Sequence, residues 1–325
     1  MSDDKTAAAL VSASVILRFS STYQQVVKDW AAALEAGSVT TPATTSELYV
    51  AEVLAKSMGH ARLAAVPQAV WVNGPGDIDN ARRVAQDAKS KGQIPQFVVY
   101  WAVNRDNGQY SAGGAPDSAS YRSFVDSLAV AIGGTGALIN LEPDALVLFN
   151  GTPSTRYADL AYAGRALLAV GAKVFLSAGH SDWHSVEEIK KRAEQVGMAN
   201  FTGFALNDSN YRPMSEIVPF GERLWSATNK PYMVDTSRNG DSPIPLPKTY
   251  WDPDWCNVAS RRFGLAPRLG PVAGGEHCFG VWWVKHPGES DGTYNGLTGK
   301  VSDAPGAGQW FEAYADDMER NSGWS

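Results

Sequence analysis

The feature that most constrains the fold of this 325-residue chain is a series of seven short apolar runs. Segments with the spacing of amphipathic helices separate them, for example DIDNARRVAQDAKSKG and PSTRYADLAYAGRALLAVGA. Strands that alternate with helices form parallel βαβ units, and seven such units can close into a barrel. The sequence therefore predicts an α/β fold, a distorted TIM-like barrel. The runs are AVWV near 70, FVVYWAV near 100, ALINLE near 139, KVFL near 174, TGFAL near 204, YMVD near 233 and FGVWWVK near 282.

The chain is predicted to form a single domain over residues 1–325. No repeat, low-complexity tract or linker interrupts the strands, and a 44% hydrophobic content is enough for a large core. Residues 1–60 are predicted to be an N-terminal extension of helix and loop packed on the barrel, with a helix at about 22–37. The apolar stretch at 7–17 follows acidic MSDD, whereas a signal peptide begins with positive charge, so a packed segment is favoured there.

Composition and motifs argue against several functions. A formal charge of −6 without a basic stripe gives no surface for nucleic acid. No run approaches the roughly 20 apolar residues of a membrane span. The GxSxG nucleophile elbow is absent, and GGTGAL fails the dinucleotide pattern. Cys256 and Cys278 leave one disulfide or two free thiols equally open.

Polar and aromatic side chains follow six of the predicted strands, at the point where each strand ends. In parallel barrels the chemistry gathers at these carboxyl ends. The opposite ends carry only ordinary turns such as AAVP and KGQIP. This asymmetry predicts an active-site face. In chain order the residues are Arg105 and Asp106, Asp144, His180 and Trp183, Asn207, Arg238, and finally Lys285, Glu289 and Asp291.

Simpler interpretations exist for several of these residues. Asp144 could cap a helix, and Arg238 could brace a turn-rich loop. Arg105 and Asp106 could form a surface pair. His180 and His184 have the four-residue spacing of a zinc pair but lack the intervening Glu and a nearby third ligand. No metal site is therefore predicted, and a histidine that hydrogen-bonds substrate or a carboxylate is favoured.

The stretch LINLEPDALVLF places Glu142 and Asp144 around a proline within an apolar run. A buried carboxylate is costly unless it is paired, hydrogen-bonded or used. Several carboxylates on one face, with aromatics around them, suit glycoside hydrolysis, in which one acid protonates the leaving oxygen. The eleven Trp and twelve Tyr of the chain also suit flat contacts with sugar rings.

At these residues the chain resembles the glycoside hydrolase family 6 cellulases, and especially the bacterial endoglucanases. The likeness extends from about Val66 to Ala315 through VVYWAVNRD, LINLEPDAL, AGHSDWH, NDSNYR, VDTSRNG, DWCN and WVKHPGESDG, in that order. It implies a distorted barrel of seven parallel strands and hydrolysis of β-1,4-glucosidic bonds with inversion. It also implies no metal or organic cofactor, an extracellular location, and cellulose and soluble β-1,4-glucans as substrates. We further expect a monomer that binds neither nucleic acid nor membrane.

The resemblance also assigns roles to individual residues. Asp144 matches the general acid. Asp106 matches the residue that raises the pKa of the acid and organises the catalytic water, and Asp291 matches the candidate base. Trp71, Trp183 and Trp255 match sugar platforms. The remaining matches are groups that contact or position the sugar and the carboxylates: Tyr100, Arg105, His180, Asn207, Arg238, Lys285 and Glu289.

The chain departs from the family pattern at several positions, among them the proline usually found before the Arg-Asp pair, which YWAVNRD lacks. Ser177 stands where the family has Asp, and Asn107 and Thr293 stand where many relatives carry cysteines. The loop RDNGQYSAGG is too short to form a lid. The loop DGTYNGLTGKVSDAPGAGQW, of intermediate length and rich in glycine, is expected to narrow the cleft without closing it, which favours an endoglucanase. The alternatives are a cellobiohydrolase of the same fold and a glucan-binding protein without catalysis, which would keep the tryptophans but lose the acids.

Overall fold

The computed structural model describes residues 47–106, 111–148, 153–242, 246, 254–293 and 304–323. Residues Ser46–Ser325 form one compact unit. The helix predicted at 22–37 and most of the loop that follows Asp291 lie outside the described residues. The predicted arrangement of residues 1–60 therefore stays a prediction.

All seven predicted strands are confirmed, and the described residues contain an eighth. The seven are parallel neighbours in the order β1-β2-β3-β4-β5-β6-β8, while β7 pairs antiparallel with β8. The additional strand has only two residues, and neither is fully buried, so the sequence contains no apolar run that would predict it. The strands are β1 Val70–Val72, β2 Gln96–Val99, β3 Leu138–Leu141, β4 Lys173–Ser177, β5 Gly203–Leu206, β6 Tyr232–Asp235, β7 Arg268–Leu269 and β8 Cys278–Trp282.

Helices connect the parallel strands, as the spacing of apolar residues predicts. Two helices begin at side-chain caps: Asp117 accepts from the amide of Ser120 (2.7 Å), and Ser185 accepts from the amide of Glu188 (3.3 Å). None of the described helices is long and apolar enough to cross a membrane. The helices are α1 Leu54–Ser57, α2 Ala61–Ala64, α3 Ile78–Ser90, α4 Ser118–Ile132, α5 Pro153–Ala169, α6 Val186–Val196, α7 Met214–Thr228 and α8 Glu312–Asn321, with 3-10 turns at Pro75–Asp77 and Met198–Asn200.

The sheet separates two hydrophobic cores, because successive strand residues face opposite sides. An inner core fills the space enclosed by the curled sheet with Val98, Leu138, Phe175, Ala205, Met233 and Trp282. An outer core packs the other strand face against the helices. A backbone hydrogen bond from Ala69 N to Trp283 O (2.9 Å) joins the start of β1 to the end of β8. The carboxyl ends of the parallel strands therefore gather on one face.

Candidate active site

Asp144 and Asp106 share a small pocket at the ends of β3 and β2. Asp144 follows β3 by three residues, after Glu142 and Pro143. Tyr100, Pro143, Leu148 and Arg156 are among the other lining residues. The sequence-predicted acid and its predicted partner thus lie together on the expected face.

The pocket raises the pKa of Asp144 from 3.8 to about 7, mainly because burial disfavours the charged form. The negative charge of Asp106 adds to this effect. Burial also raises the pKa of Asp106, while the amide of Ser111, which donates to its Oδ2 at 2.6 Å, and the charge of Arg105 oppose that rise. Asp144 can therefore hold a proton close to neutral pH, as a general acid must.

Glu142, the other carboxylate of the LEPD motif, lies fully buried and binds backbone. Its Oε2 accepts from the amides of Trp101 (3.0 Å) and Ala102 (2.9 Å), just beyond β2. Burial raises its pKa to about 7 even though these amides favour the charged form. The side chain joins the ends of β2 and β3, and so fixes the two segments that carry Asp106 and Asp144.

Arg105 braces the loop that holds Asp106. Its guanidinium donates to the carbonyls of Tyr100 (2.9 Å), Ser111 (2.8 Å) and Ala112 (3.3 Å). It also lies over the Tyr100 ring, 4.8 Å from the centroid. This arrangement favours positioning of the pocket by Arg105 over direct sugar contact.

The backbone around these carboxylates is strained. Asp106, Glu142 and Asp144 have φ values of +52°, +51° and +68°, and Asn207 has +67°. Residues other than glycine seldom adopt this left-handed region, and each costs free energy unless the surroundings impose it. Four such residues just beyond three strand ends are consistent with a backbone shaped by function.

Asp291 lies beyond β8 in a dense network of hydrogen bonds and ion pairs. Its Oδ2 accepts from Arg238 Nη1 (2.7 Å), the Tyr211 hydroxyl (3.0 Å) and the Asn257 amide (2.8 Å), while Lys285 Nζ lies 3.2 Å from Oδ1. Burial alone would raise its pKa, but the cations of Arg238 and Lys285 prevail and hold it at about 2. Asp291 is therefore a permanent anion above that pH.

The two cationic side chains around Asp291 also make other contacts within the protein. Arg238 is fully buried, packs its guanidinium on the Tyr211 ring at 4.3 Å, and also donates to the carbonyl of Ser209. Lys285 Nζ donates to Ser290 O at 3.0 Å. Both residues therefore fix Asp291, and Arg238 braces a loop as well.

Glu289 does not belong to the ion pairs of Asp291. Its Oε1 lies 2.8 Å from Nδ1 of His286, whose Nε2 lies 2.8 Å from Ala69 O. Burial opposes ionisation, but the positive charge of His286 lowers the pKa of Glu289 overall. The pair connects the segment after β8 to the start of β1.

His180 and Trp183 form an aromatic surface beyond β4. Their ring centroids lie 5.4 Å apart, and neither residue is fully buried. Burial, reinforced by the charge of Arg212, lowers the pKa of His180 to about 4, so the imidazole is neutral at neutral pH. Gly179 has φ +73°, and a Cβ there would meet the Trp183 ring at 3.0 Å. The glycine therefore allows the indole to lie close to the strand end.

Two other predicted platforms also retain partial exposure. Trp71 on β1 donates from its indole nitrogen to Val284 O (2.8 Å) and meets the Tyr100 ring edge-on at 5.4 Å. Trp255 lies partly exposed two residues before Asn257, which bonds Asp291. Both indoles could still offer a face to a sugar ring.

Asn207, by contrast, is fully buried. Its Nδ2 donates to Arg212 O (3.2 Å) and Asp235 O (3.0 Å), and its Oδ1 accepts from the amide of Arg212 (3.2 Å). These bonds join the ends of β5 and β6 and favour a positioning role over sugar contact.

Sequence reasoning gave no role to several residues that build the site. Tyr211 and Asn257 bond Asp291, yet neither follows a strand end directly, so the selection rule does not find them. Asp208, one residue after Asn207, does follow a strand end, so this signal is sufficient to find it. Its carboxylate oxygens are buried.

Comparison with known proteins adds independent information. The family model described as Glycosyl hydrolases family 6 matches residues 28–322. The chain belongs to this family. Endoglucanase A of Cellulomonas fimi is 36% identical over 270 residues, which cover 81% of this chain and 56% of the relative. Endoglucanase A of Thermobispora bispora is 34% identical over 245 residues, covering 71% and 52%. The family 6 chain thus spans about half the length of these two relatives.

A solved structure supports the same assignment. The endoglucanase Cel6 from Mycobacterium tuberculosis, in complex with methyl-cellobiosyl-4-deoxy-4-thio-beta-D-cellobioside, matches with a TM-score of 0.77 and 31% identity, covering 87% of this family 6 chain and 99% of that one. The cellobiohydrolase Cel6A from Chaetomium thermophilum, at 23% identity and a TM-score of 0.70, shares the fold and covers 86% and 93%.

Proposed function

We propose that this family 6 chain is an inverting endo-β-1,4-glucanase in which Asp144 is the general acid. One observation carries the proposal: Asp144 lies at a strand end in a pocket with Asp106, where burial and the neighbouring charge raise its pKa to about 7. Such a group can protonate a glycosidic oxygen near neutral pH. Support for the substrate comes from the relatives named endoglucanase and from the thio-oligosaccharide bound to the Mycobacterium tuberculosis enzyme.

In the proposed reaction, the proton of Asp144 passes to the leaving glycosidic oxygen as the bond to the anomeric carbon breaks. A water on the opposite face of the sugar forms the new bond and passes a proton to solvent through the hydrogen-bonded network of Asp291, so the anomeric configuration inverts, and Asp144 regains its proton from solvent. The negative charge of Asp106 opposes ionisation of Asp144 and so helps the acid to stay protonated, and Asp106 also orients the water. Trp71, Trp183 and Trp255 stack on glucose rings, with Tyr100 and His180 beside them.

The role of Asp291 follows from its charge. With a pKa of about 2 it is a weak base, but it is an anion throughout the working range. We assign it the stabilisation of positive charge at the anomeric carbon, with a part in water activation through the hydrogen-bonded network. Arg238, Lys285 and Tyr211 keep it in place.

Endo action is tested by comparing viscosity loss with reducing-sugar release on a soluble cellulose derivative. An endoglucanase cuts internal bonds, so viscosity should fall well before many reducing ends appear. Slow viscosity loss with cellobiose as the dominant first product would instead support a cellobiohydrolase, a name borne by a relative from Aspergillus terreus at 26% identity. No hydrolysis with retained glucan binding would support a non-catalytic protein.

Inversion is tested by proton NMR during early hydrolysis. An inverting enzyme releases the α-anomer first from a β-linked substrate, and initial β-product would overturn the mechanism. Because family 6 relatives act on a polymer, we further propose that the chain works outside the cell. We also propose that it is a monomer. Analytical ultracentrifugation and assay of the culture medium test these two points.

A further inference from the structure

Arg212 is a buried cation beyond β5 to which the proposed mechanism gives no role. Its side chain is only 2% exposed. Residues that follow β5 and β6 hold its backbone: its carbonyl accepts from Nδ2 of Asn207 (3.2 Å) and of Asn239 (3.0 Å), and its amide donates to Asn207 Oδ1 (3.2 Å). A guanidinium buried to this degree is costly unless carboxylates pair with it. The barrel therefore fixes the position of Arg212, and its charge requires partners.

Two carboxylates from different segments pair with this guanidinium. Asp182, in the loop after β4, has its Oδ2 3.0 Å from Nη2, and Asp254, between β6 and β7, accepts a hydrogen bond from the same Nη2. Among the described residues, Nε and Nη1 of Arg212 have no hydrogen-bond acceptor, although Glu216 Oε2 lies 4.0 Å from Nη1. Asp254 is 23% exposed and Asp182 is 53% exposed, so solvent screens the Asp254 pair less. One buried nitrogen atom thus joins two loops, and the bond to Asp254 is the stronger of the two.

Each of these carboxylates directly precedes a predicted sugar platform. Asp182 precedes Trp183, Asp254 precedes Trp255, and both indoles are partly exposed. Because a planar peptide bond joins each pair of neighbours, a shift of the carboxylate residue moves the backbone of its tryptophan. The charge of Arg212 also reaches this aromatic surface, since it adds to burial in lowering the pKa of His180. The two platforms therefore share one anchor.

We propose that Arg212 is a positioning residue that sets the relative placement of Trp183 and Trp255, and with it the affinity of the cleft for a glucan chain. The inference rests on the proposed function, in which both indoles stack on glucose rings. Arg212 acts through Asp182 and Asp254. Arginine suits this role because its guanidinium carries several donors in a planar fork and stays charged at every working pH. Platforms that bind substrate and transition state alike affect KM more than kcat.

The test is the binding of methyl-cellobiosyl-4-deoxy-4-thio-beta-D-cellobioside, measured by isothermal titration calorimetry. Asp254→Ala removes the stronger partner of Arg212, so the dissociation constant should rise about three- to tenfold, the size of one well-placed aromatic contact. On a soluble cellulose derivative, KM should rise by a similar factor while kcat changes by less than about twofold. The matched control is Glu216→Ala on α7, which removes a carboxylate beside the same guanidinium but next to no platform. It should leave the dissociation constant and KM unchanged.

A double-mutant cycle separates positioning from a general loosening of the fold. Once Trp255→Ala has removed the platform, Asp254→Ala should cost no further affinity. Arg212→Met removes the cation but keeps an unbranched stem, and its loss of affinity should equal or exceed that of Asp254→Ala. Should Arg212→Met fail to fold, the Asp254 cycle alone decides the role of Arg212.

Unchanged binding by Asp254→Ala, or an equal loss of affinity with and without the Trp255 indole, would overturn the role of Arg212 while leaving the proposed function intact. A wild type that does not bind the thio-oligosaccharide would overturn the proposed function and this inference with it.

Discussion

The burial that prepares Asp144 as an acid should destabilise the folded protein at neutral pH, and Asp144→Asn tests this. Folding raises the pKa of Asp144 from 3.8 to about 7, so between these values the folded state binds the proton more tightly than the unfolded state. Stability therefore falls as pH rises through this window, and the full cost is present above it. The difference in pKa corresponds to about 4 kcal/mol as an upper value. Because the side chain is not fully buried, we expect about 2 kcal/mol.

The assay is urea unfolding of wild type and Asp144→Asn between pH 4 and pH 8. Asparagine is close in shape to the protonated acid and cannot ionise, so the two free energies of unfolding should be nearly equal at pH 4. By pH 8 the variant should be the more stable protein. Asp316→Asn, on exposed surface, should differ from wild type by the same small amount at each pH. The reasoning would be refuted if the difference in free energy of unfolding between Asp144→Asn and wild type did not grow with pH. It would also be refuted if wild type were more stable than the variant at pH 8.

Three further predictions concern Asp106, Asp291 and the two cysteines. Asp106→Ala removes a charge that raises the pKa of Asp144, so the basic limb of the kcat profile should move to lower pH; a limb that stays in place would confine Asp106 to organising water. Asp291→Asn should lower the free energy of unfolding by about 3–5 kcal/mol at neutral pH, because Arg238 loses its buried partner. Since folding lowers the pKa of Asp291 from 3.8 to about 2, about 2 kcal/mol of this difference should disappear as pH falls from about 4 towards 2, and an equal difference across that range would contradict it. Cys256 and Cys278 are buried and form no disulfide with each other, so intact mass should show two alkylated thiols under denaturing conditions; a mass two hydrogens lighter without alkylation would reveal a disulfide.

The sequence predicts the parallel barrel well because each of its strands is a short apolar run with its own periodicity. Strand β7 escapes prediction because Arg268 and Leu269 are partly exposed and pair antiparallel at the edge of the sheet. The sequence also shows where these strands end, and residues that follow parallel strands gather on one face. Asp106, Asp144 and Asp291 could therefore be predicted to lie there.

The roles of the individual site residues are harder to predict from the sequence. Whether Asn207 contacts sugar or bonds backbone depends on its burial, which the one-dimensional pattern does not contain. Glu142 and Asp144 are two residues apart in one motif, yet one accepts from backbone amides and the other lines the pocket. Both have positive φ, which Asp adopts more readily than most residues, but this preference does not show which of the two side chains faces the pocket.

The most direct test of Asp144 as general acid is the turnover of Asp144→Ala on two substrates. On a soluble cellulose derivative the leaving oxygen needs a proton, so the rate should fall by about a hundred- to ten-thousand-fold. On an aryl cellobioside with a leaving group that needs no protonation, most of the rate should remain, and glucan binding should be unchanged. Wild-type turnover on the cellulose derivative, or an equal loss on both substrates, would contradict the assignment.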